Sequence, residues 1–158
     1  MRAAFASLMA NRPLMSALLA WLVAQVLKTA VFAILERRVN WRKLVETGGL
    51  PSAHSALVVG LTTGIGLHEG WQTTNFAIAL VFSLIVMYDA IGIRQEAGKH
   101  ADLLNELLRI AVIRDVYQQR EELKELLGHT PLEVFAGALI GVMMALFVSA
   151  ASPVVGPR

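Results

Sequence analysis

A chain of 158 residues has the length of one domain. Hydrophobic residues make up 56% of it, charged residues only 16%, and the mean hydropathy is +0.58; soluble globular domains carry about 25% charged residues, so the composition is not that of an ordinary soluble domain and an integral membrane protein is expected, with a soluble helical bundle as the alternative. The formal charge of +2 singles out no partner, and the absence of cysteine excludes disulfides and thiolate metal sites.

The N-terminal segment, 1–13, contains arginines but no compact apolar core followed by a cleavage site. It does not read as a signal peptide, so the apolar stretch behind it is expected to remain in the mature protein. That stretch, Leu14–Leu35 (LMSALLAWLVAQVLKTAVFAIL), has the roughly 20 residues a spanning helix needs. Gln25 and Lys28 interrupt it one helical turn apart, and Arg37, Arg38, Arg42 and Lys43 follow it.

The second apolar block, Pro51–Leu67 (PSAHSALVVGLTTGIGL), follows a Gly-Gly-Leu turn and is polar at its start. It is short, and reads either as a span or as a helix enclosed by its neighbours. Phe76–Ile93 is the third block, with Asp89 near its end. Next comes the only strongly charged region, 94–128, in which leucines and valines at 103, 104, 107, 108, 112, 116, 123, 126 and 127 keep helical spacing. One or two amphipathic helices at the membrane surface or over the bundle are expected there. The fourth block is Val134–Ala151, and 152–158 is a tail.

These blocks are near-continuous apolar runs rather than one-sided stripes, which argues against a soluble bundle. The expected fold is all-α: a single multi-pass transmembrane domain of about four membrane helices plus the amphipathic insert. Gly60 and Gly64, and Gly137 and Gly141, lie four apart, a spacing that lets helix backbones approach closely in lipid. The second and fourth blocks are therefore expected to be neighbours, and a homo-oligomer is compatible with the same stripes.

Following the chain through four spans brings the polar residues to one side. Arg37, Arg38, Ser52, His54, Ser55, Asp89, Arg94, His129, Thr130 and Glu133 all reach the same face, with Lys28 about two turns inside it. His54 and His129 fall at the starts of two helices, where free N–H groups and the helix dipole favour anions. Lys28, Arg37, Arg38, Arg42 and Arg94 are candidate phosphate clamps. Glu133, four residues after His129, can orient its imidazole; an oriented histidine is a credible nucleophile and a second histidine a credible general acid. Plainer readings stand beside these. Thr130-Pro131-Leu132-Glu133 is a good capping box, Ser52 or Ser55 reads as an N-cap, Gln25 and Asp89 as supporting or pairing residues, and His68 and His100 as interfacial or solvated. The histidines lack the clustered spacing of a zinc site, so no metal is expected.

At these residues the chain resembles a known superfamily. LLGHTPLEVFAGALIG is similar to the last motif of type 2 phosphatidic acid phosphatases and vanadium-dependent haloperoxidases, and GGLPSAHSA resembles their Pro-Ser-Gly-His motif. With MYDAIGIRQEAGKHA between them, the order most resembles the divergent branch of small membrane proteins described as acid phosphatase and haloperoxidase-related. The resemblance implies His129 as the nucleophile, Glu133 as its orienting carboxylate, His54 as the acid, Ser52 as a phosphate ligand and Lys28 as the lysine of the first motif. It departs in four places: Lys28 lies nine residues before Arg37 with no proline following, Ala53 and Glu133 replace glycine and aspartate, and Leu123 stands where an arginine is expected. Arg94 is the candidate substitute for that arginine.

The expected function is thus a metal-independent phosphatase for a lipid or prenyl phosphate or diphosphate, working through a phosphohistidine. It needs no cofactor, and vanadate is the expected phosphate mimic. The expected partners are the bilayer and the lipid phosphate, not nucleic acid. Two alternatives stay open: a non-catalytic protein that binds or moves phospholipid or another anion, and a structural subunit. Ten of the fourteen Lys/Arg residues fall on the site-bearing side, which the positive-inside tendency assigns to the cytoplasm.

Overall fold

The computed structural model describes residues 2–37, 49–109 and 129–151, and all the regular structure among them is helical. A short helix, α1 (Arg2–Ala10), ends at Asn11. The Asn11 side chain then accepts from Leu14 N at 3.1 Å, and with Pro13 in the first turn it starts α2 (Arg12–Glu36). The segment 1–13 is thus largely a helix, and α2 begins slightly before the apolar run because its cap lies in the polar Asn-Arg-Pro step. Arg37 closes α2 in the left-handed conformation, φ 52.

Three further helices complete the apolar part: α3 (Ala53–His68), α4 (Thr74–Ile91) and, after the insert, the helix Pro131–Ala151. Between them the charged insert opens with α5 (Ile93–Arg109), so the last helix is α6. In α5, Lys99 Nζ lies 2.6 Å from Glu96 Oε1 and holds that carboxyl below its ordinary value, by hydrogen bond first and charge second. Residues 110–128, the rest of the expected insert, and the tail 152–158 lie outside the described residues.

Large apolar side chains face outward and small residues face inward. Ile78, Ile85, Phe135 and Met143 are each at least 60% exposed, whereas Ala20, Ala24, Ala53 and Ala56 form the buried cluster. A soluble bundle reverses this arrangement; in lipid it is the stable one, because small residues let helices pack closely while the bilayer solvates the rest. Among the described residues three helices are long and apolar enough to cross a membrane: α2 over Arg12–Ile34, α4, and α6. α3, with 16 residues, is shorter than these.

α3 is the central helix, packed against α2, α4 and α6. Cβ atoms added at Gly60 and Gly64 would lie 3.0 Å from Ala20 Cβ and 2.9 Å from Pro13 Cα, so this pair faces α2. One at Gly141 would lie 2.7 Å from Gly60 N and 2.8 Å from Ala56 O, so that pair faces α3. The expected contact between the second and fourth blocks is present. Only the α6 glycines open towards it; the α3 pair opens towards α2. Toward α4, Thr62 Oγ1 and Ser83 Oγ are 2.7 Å apart, and Ser83 Oγ donates to Val58 O at 3.0 Å. α2 and α4 therefore run antiparallel to α3, while α6 runs parallel to it.

Candidate functional site

This directionality brings the starts of α3 and α6 to the ends of α2 and α4. Two backbone bonds lock the junction. Ser52 N donates to Glu133 O at 3.0 Å, joining the start of α3 to the first turn of α6. His129 N donates to Ala90 O at 3.0 Å, joining the approach to α6 to the last turn of α4. Gly137 makes the first bond geometrically possible, because a Cβ there would collide with the Ser52 carbonyl oxygen.

Glu133 satisfies both readings of its sequence position. Its Oε2 accepts from Thr130 N at 3.1 Å while Glu133 N donates to Thr130 Oγ1 at 3.3 Å, a complete capping box. The same oxygen lies 3.0 Å from His129 Nδ1. A carboxylate accepting from Nδ1–H fixes the tautomer and leaves the lone pair on Nε2. The His129 side chain is 3% exposed.

His54, on the first turn of α3, meets His129 edge-on, with ring centroids 6.3 Å apart and planes at 61°. Ser52 is the N-cap of α3: its Oγ accepts from Ser55 N at 3.3 Å and from Ser55 Oγ at 3.0 Å, and both serines are fully buried. An oxygen that already accepts twice still has its own proton to donate, so the N-cap role leaves Ser52 able to bind an anion.

Lys28 approaches from α2 and is 3% exposed. Gly49, held at φ +88, marks its position: a Cβ there would lie 3.5 Å from Lys28 Cδ and 2.8 Å from the Phe32 ring. The Lys28 stem thus runs beside the loop that leads into Ser52. Gln25, one turn deeper on α2, is also buried. Asp89 is half-buried beside Ala90.

Arg37 is exposed at the end of α2. Arg94 is the second residue of α5, but its side chain lies outside the described residues, as do Arg38, Arg42 and Leu123. His100 is exposed as expected; His68 is half-buried, with Nε2 enclosed and no hydrogen-bond partner among the described residues. Among those residues no three His, Asp or Glu side chains form a metal-ligand group. Sequence reasoning missed Ala90 and Gly137 as positioning residues. The spacing of Gly137 and Gly141 was the only available signal for either.

Comparison with known proteins gives the family. A family model described as the divergent PAP2 family matches residues 9–144. A protein of Bacillus subtilis (strain 168), YuiD, described as an uncharacterized membrane protein, is 39% identical over 153 residues, covering 90% of this chain and 96% of that protein. No solved structure matches.

Proposed function

The chain belongs to the divergent PAP2 family, and from that membership we propose a metal-independent phosphatase that hydrolyses a lipid or prenyl phosphate through a phosphohistidine. The observation carrying this reading is the 6.3 Å pairing of His54 with a His129 whose Nδ1 is held by Glu133. An attacking nitrogen needs to come within about 3–3.5 Å of phosphorus. An acid needs to reach the leaving oxygen at about 2.6–3.2 Å. Two imidazoles on adjoining helix starts, 6.3 Å apart, support a reading in which one attacks and the other protonates at a single phosphoryl group.

In this reading the Nε2 lone pair of His129 attacks phosphorus, the bond to the leaving oxygen breaks, and His54 transfers its proton to that oxygen. Neutral His54 then takes a proton from water as the water attacks the phosphohistidine. The N–P bond breaks, phosphate leaves, and both histidines return to their starting states. Lys28, the Ser52 hydroxyl and the helix starts stabilise the charge on the phosphoryl oxygens, with arginine from 37, 38 or 94 completing the neutralisation. Glu133 stabilises the imidazolium character of His129 as the bond forms. α3, about 24 Å long, is the fourth crossing of a locally thinned site, and the site end faces the cytoplasm.

The test is phosphate release from alkyl and prenyl phosphates by purified protein in excess chelator. Wild-type protein is expected to turn over and His129→Ala to be silent; undiminished release by that variant overturns the mechanism. A second reading, anion or phospholipid binding without turnover, is favoured by Leu123, which stands where the resemblance calls for an arginine. Saturable vanadate binding with no release from any substrate selects it.

A further inference from the structure

The cap of α3 is complete without the Ser55 hydroxyl. Ser52 N donates to Glu133 O at 3.0 Å, Ser52 O accepts from Ala56 N at 3.1 Å, and Ser52 Oγ accepts from Ser55 N at 3.3 Å. Other hydroxyls on α2 and α3 donate to the carbonyl four residues back: Ser16 to Arg12 O at 3.0 Å, Thr29 to Gln25 O at 2.9 Å, Thr62 to Val58 O at 2.9 Å. Ser55 lies in the first turn of α3, and its hydroxyl donates instead to a side chain, Ser52 Oγ, at 3.0 Å. The α3–α6 contact encloses it, since a Cβ at Gly137 would lie 3.1 Å from Ser55 Cβ.

A serine oxygen carries two lone pairs and one proton. The Ser55 N–H and O–H occupy both lone pairs of Ser52 Oγ, so the Ser52 proton is left with a single direction. Ser52 is 0% exposed, and that proton meets no acceptor among the described residues. A buried donor without a partner costs stability, and an acceptor oxygen brought by a ligand removes the cost. Donation from Ser55 also polarises the Ser52 O–H, because hydrogen bonds in series strengthen one another.

We propose that Ser55 is a positioning residue for the anion: its hydroxyl fills the second lone pair of Ser52 and thereby commits the Ser52 proton to a phosphoryl oxygen. Ser55 acts through Ser52 and does not touch the anion. The inference rests on the anion site that both readings above share, with or without turnover.

The test is a double-mutant cycle on vanadate affinity, measured by calorimetry on full-length protein in nanodiscs. Ser55→Ala keeps the N–H that caps α3 and removes only the hydroxyl. Ser52→Gly removes the partner oxygen while leaving a residue that caps helices well. Ser55→Ala should weaken vanadate binding by about three- to tenfold in the wild-type background and by less than about twofold in Ser52→Gly. Ser55→Cys, which fills the same space with a weak donor, should show the same pattern at smaller size. Equal losses in both backgrounds would make Ser55 a direct ligand or a packing residue and overturn the proposal, as would no loss in either. Coupled serines in a protein that releases no phosphate from alkyl phosphates keep the proposal and remove the phosphatase reading. Phosphate release with uncoupled serines removes the proposal alone. Absence of vanadate binding by wild-type protein overturns the proposal together with the anion site.

Discussion

Glu133 Oε2 lies 3.0 Å from His129 Nδ1 and 3.1 Å from Thr130 N, so one carboxylate oxygen both caps a helix and orients an imidazole. The two duties separate by substitution. Glu133→Gln keeps an acceptor oxygen for the cap and should leave the melting temperature nearly unchanged, while loss of the charge lowers turnover by about tenfold or more. Glu133→Ala removes the cap as well and should also cost about 0.5–2 kcal/mol of stability. Equal turnover in Glu133→Gln and wild type would leave Glu133 as a cap alone.

Lys28 is buried beside the loop that leads to Ser52. Lys28→Met should weaken vanadate binding by about ten- to a hundredfold, the loss of one charge-assisted hydrogen bond of roughly 1.5–3 kcal/mol. Unchanged affinity in calorimetry, with the protein folded, would place Lys28 outside the anion site.

Gly137 lies against the Ser52 carbonyl, and a methyl group there has nowhere to go. Gly137→Ala should separate α6 from α3, strain the Ser52–Glu133 backbone bond and cost about 1–3 kcal/mol. Gly92→Ala, whose Cβ would meet Tyr88 O at 3.3 Å and nothing closer among the described residues, should be nearly silent. Equal thermal stability of the two variants would contradict the α3–α6 contact.

Thr62 and Ser83 share a 2.7 Å hydrogen bond in the interior, remote in sequence from the site. A double-mutant cycle with Thr62→Val and Ser83→Ala should give a coupling of about 0.5–1.7 kcal/mol, the range for hydroxyl pairs between membrane helices. A coupling near zero would show that α4 is held to α3 by packing alone.

The chain has no cysteine, so single-cysteine labelling reads sidedness directly. His100, on the helix that follows the site end of α4, and Glu69, after the far end of α3, are both exposed. In intact cells a membrane-impermeant maleimide should label Glu69→Cys and spare His100→Cys. The reverse pattern would turn the site to the outside.

The placement of the candidate site at one end was legible because hydropathy and chain direction are properties of the linear order. Apolar runs separated by charged stretches place His54 and His129 at the same end, whatever the rotation of each helix. Composition likewise settled the membrane class, since too few charged residues are available to cover a water-exposed surface. Rotation and proximity belong to the tertiary structure. Gly60 and Gly64 could have faced any neighbour; packing turned them to α2. A histidine followed four residues later by glutamate is compatible with a cap, an orienting pair or both. Only the fold of Thr130 and Pro131 into the start of α6 brought one oxygen within reach of both donors, because that distance depends on backbone geometry that residue spacing does not specify.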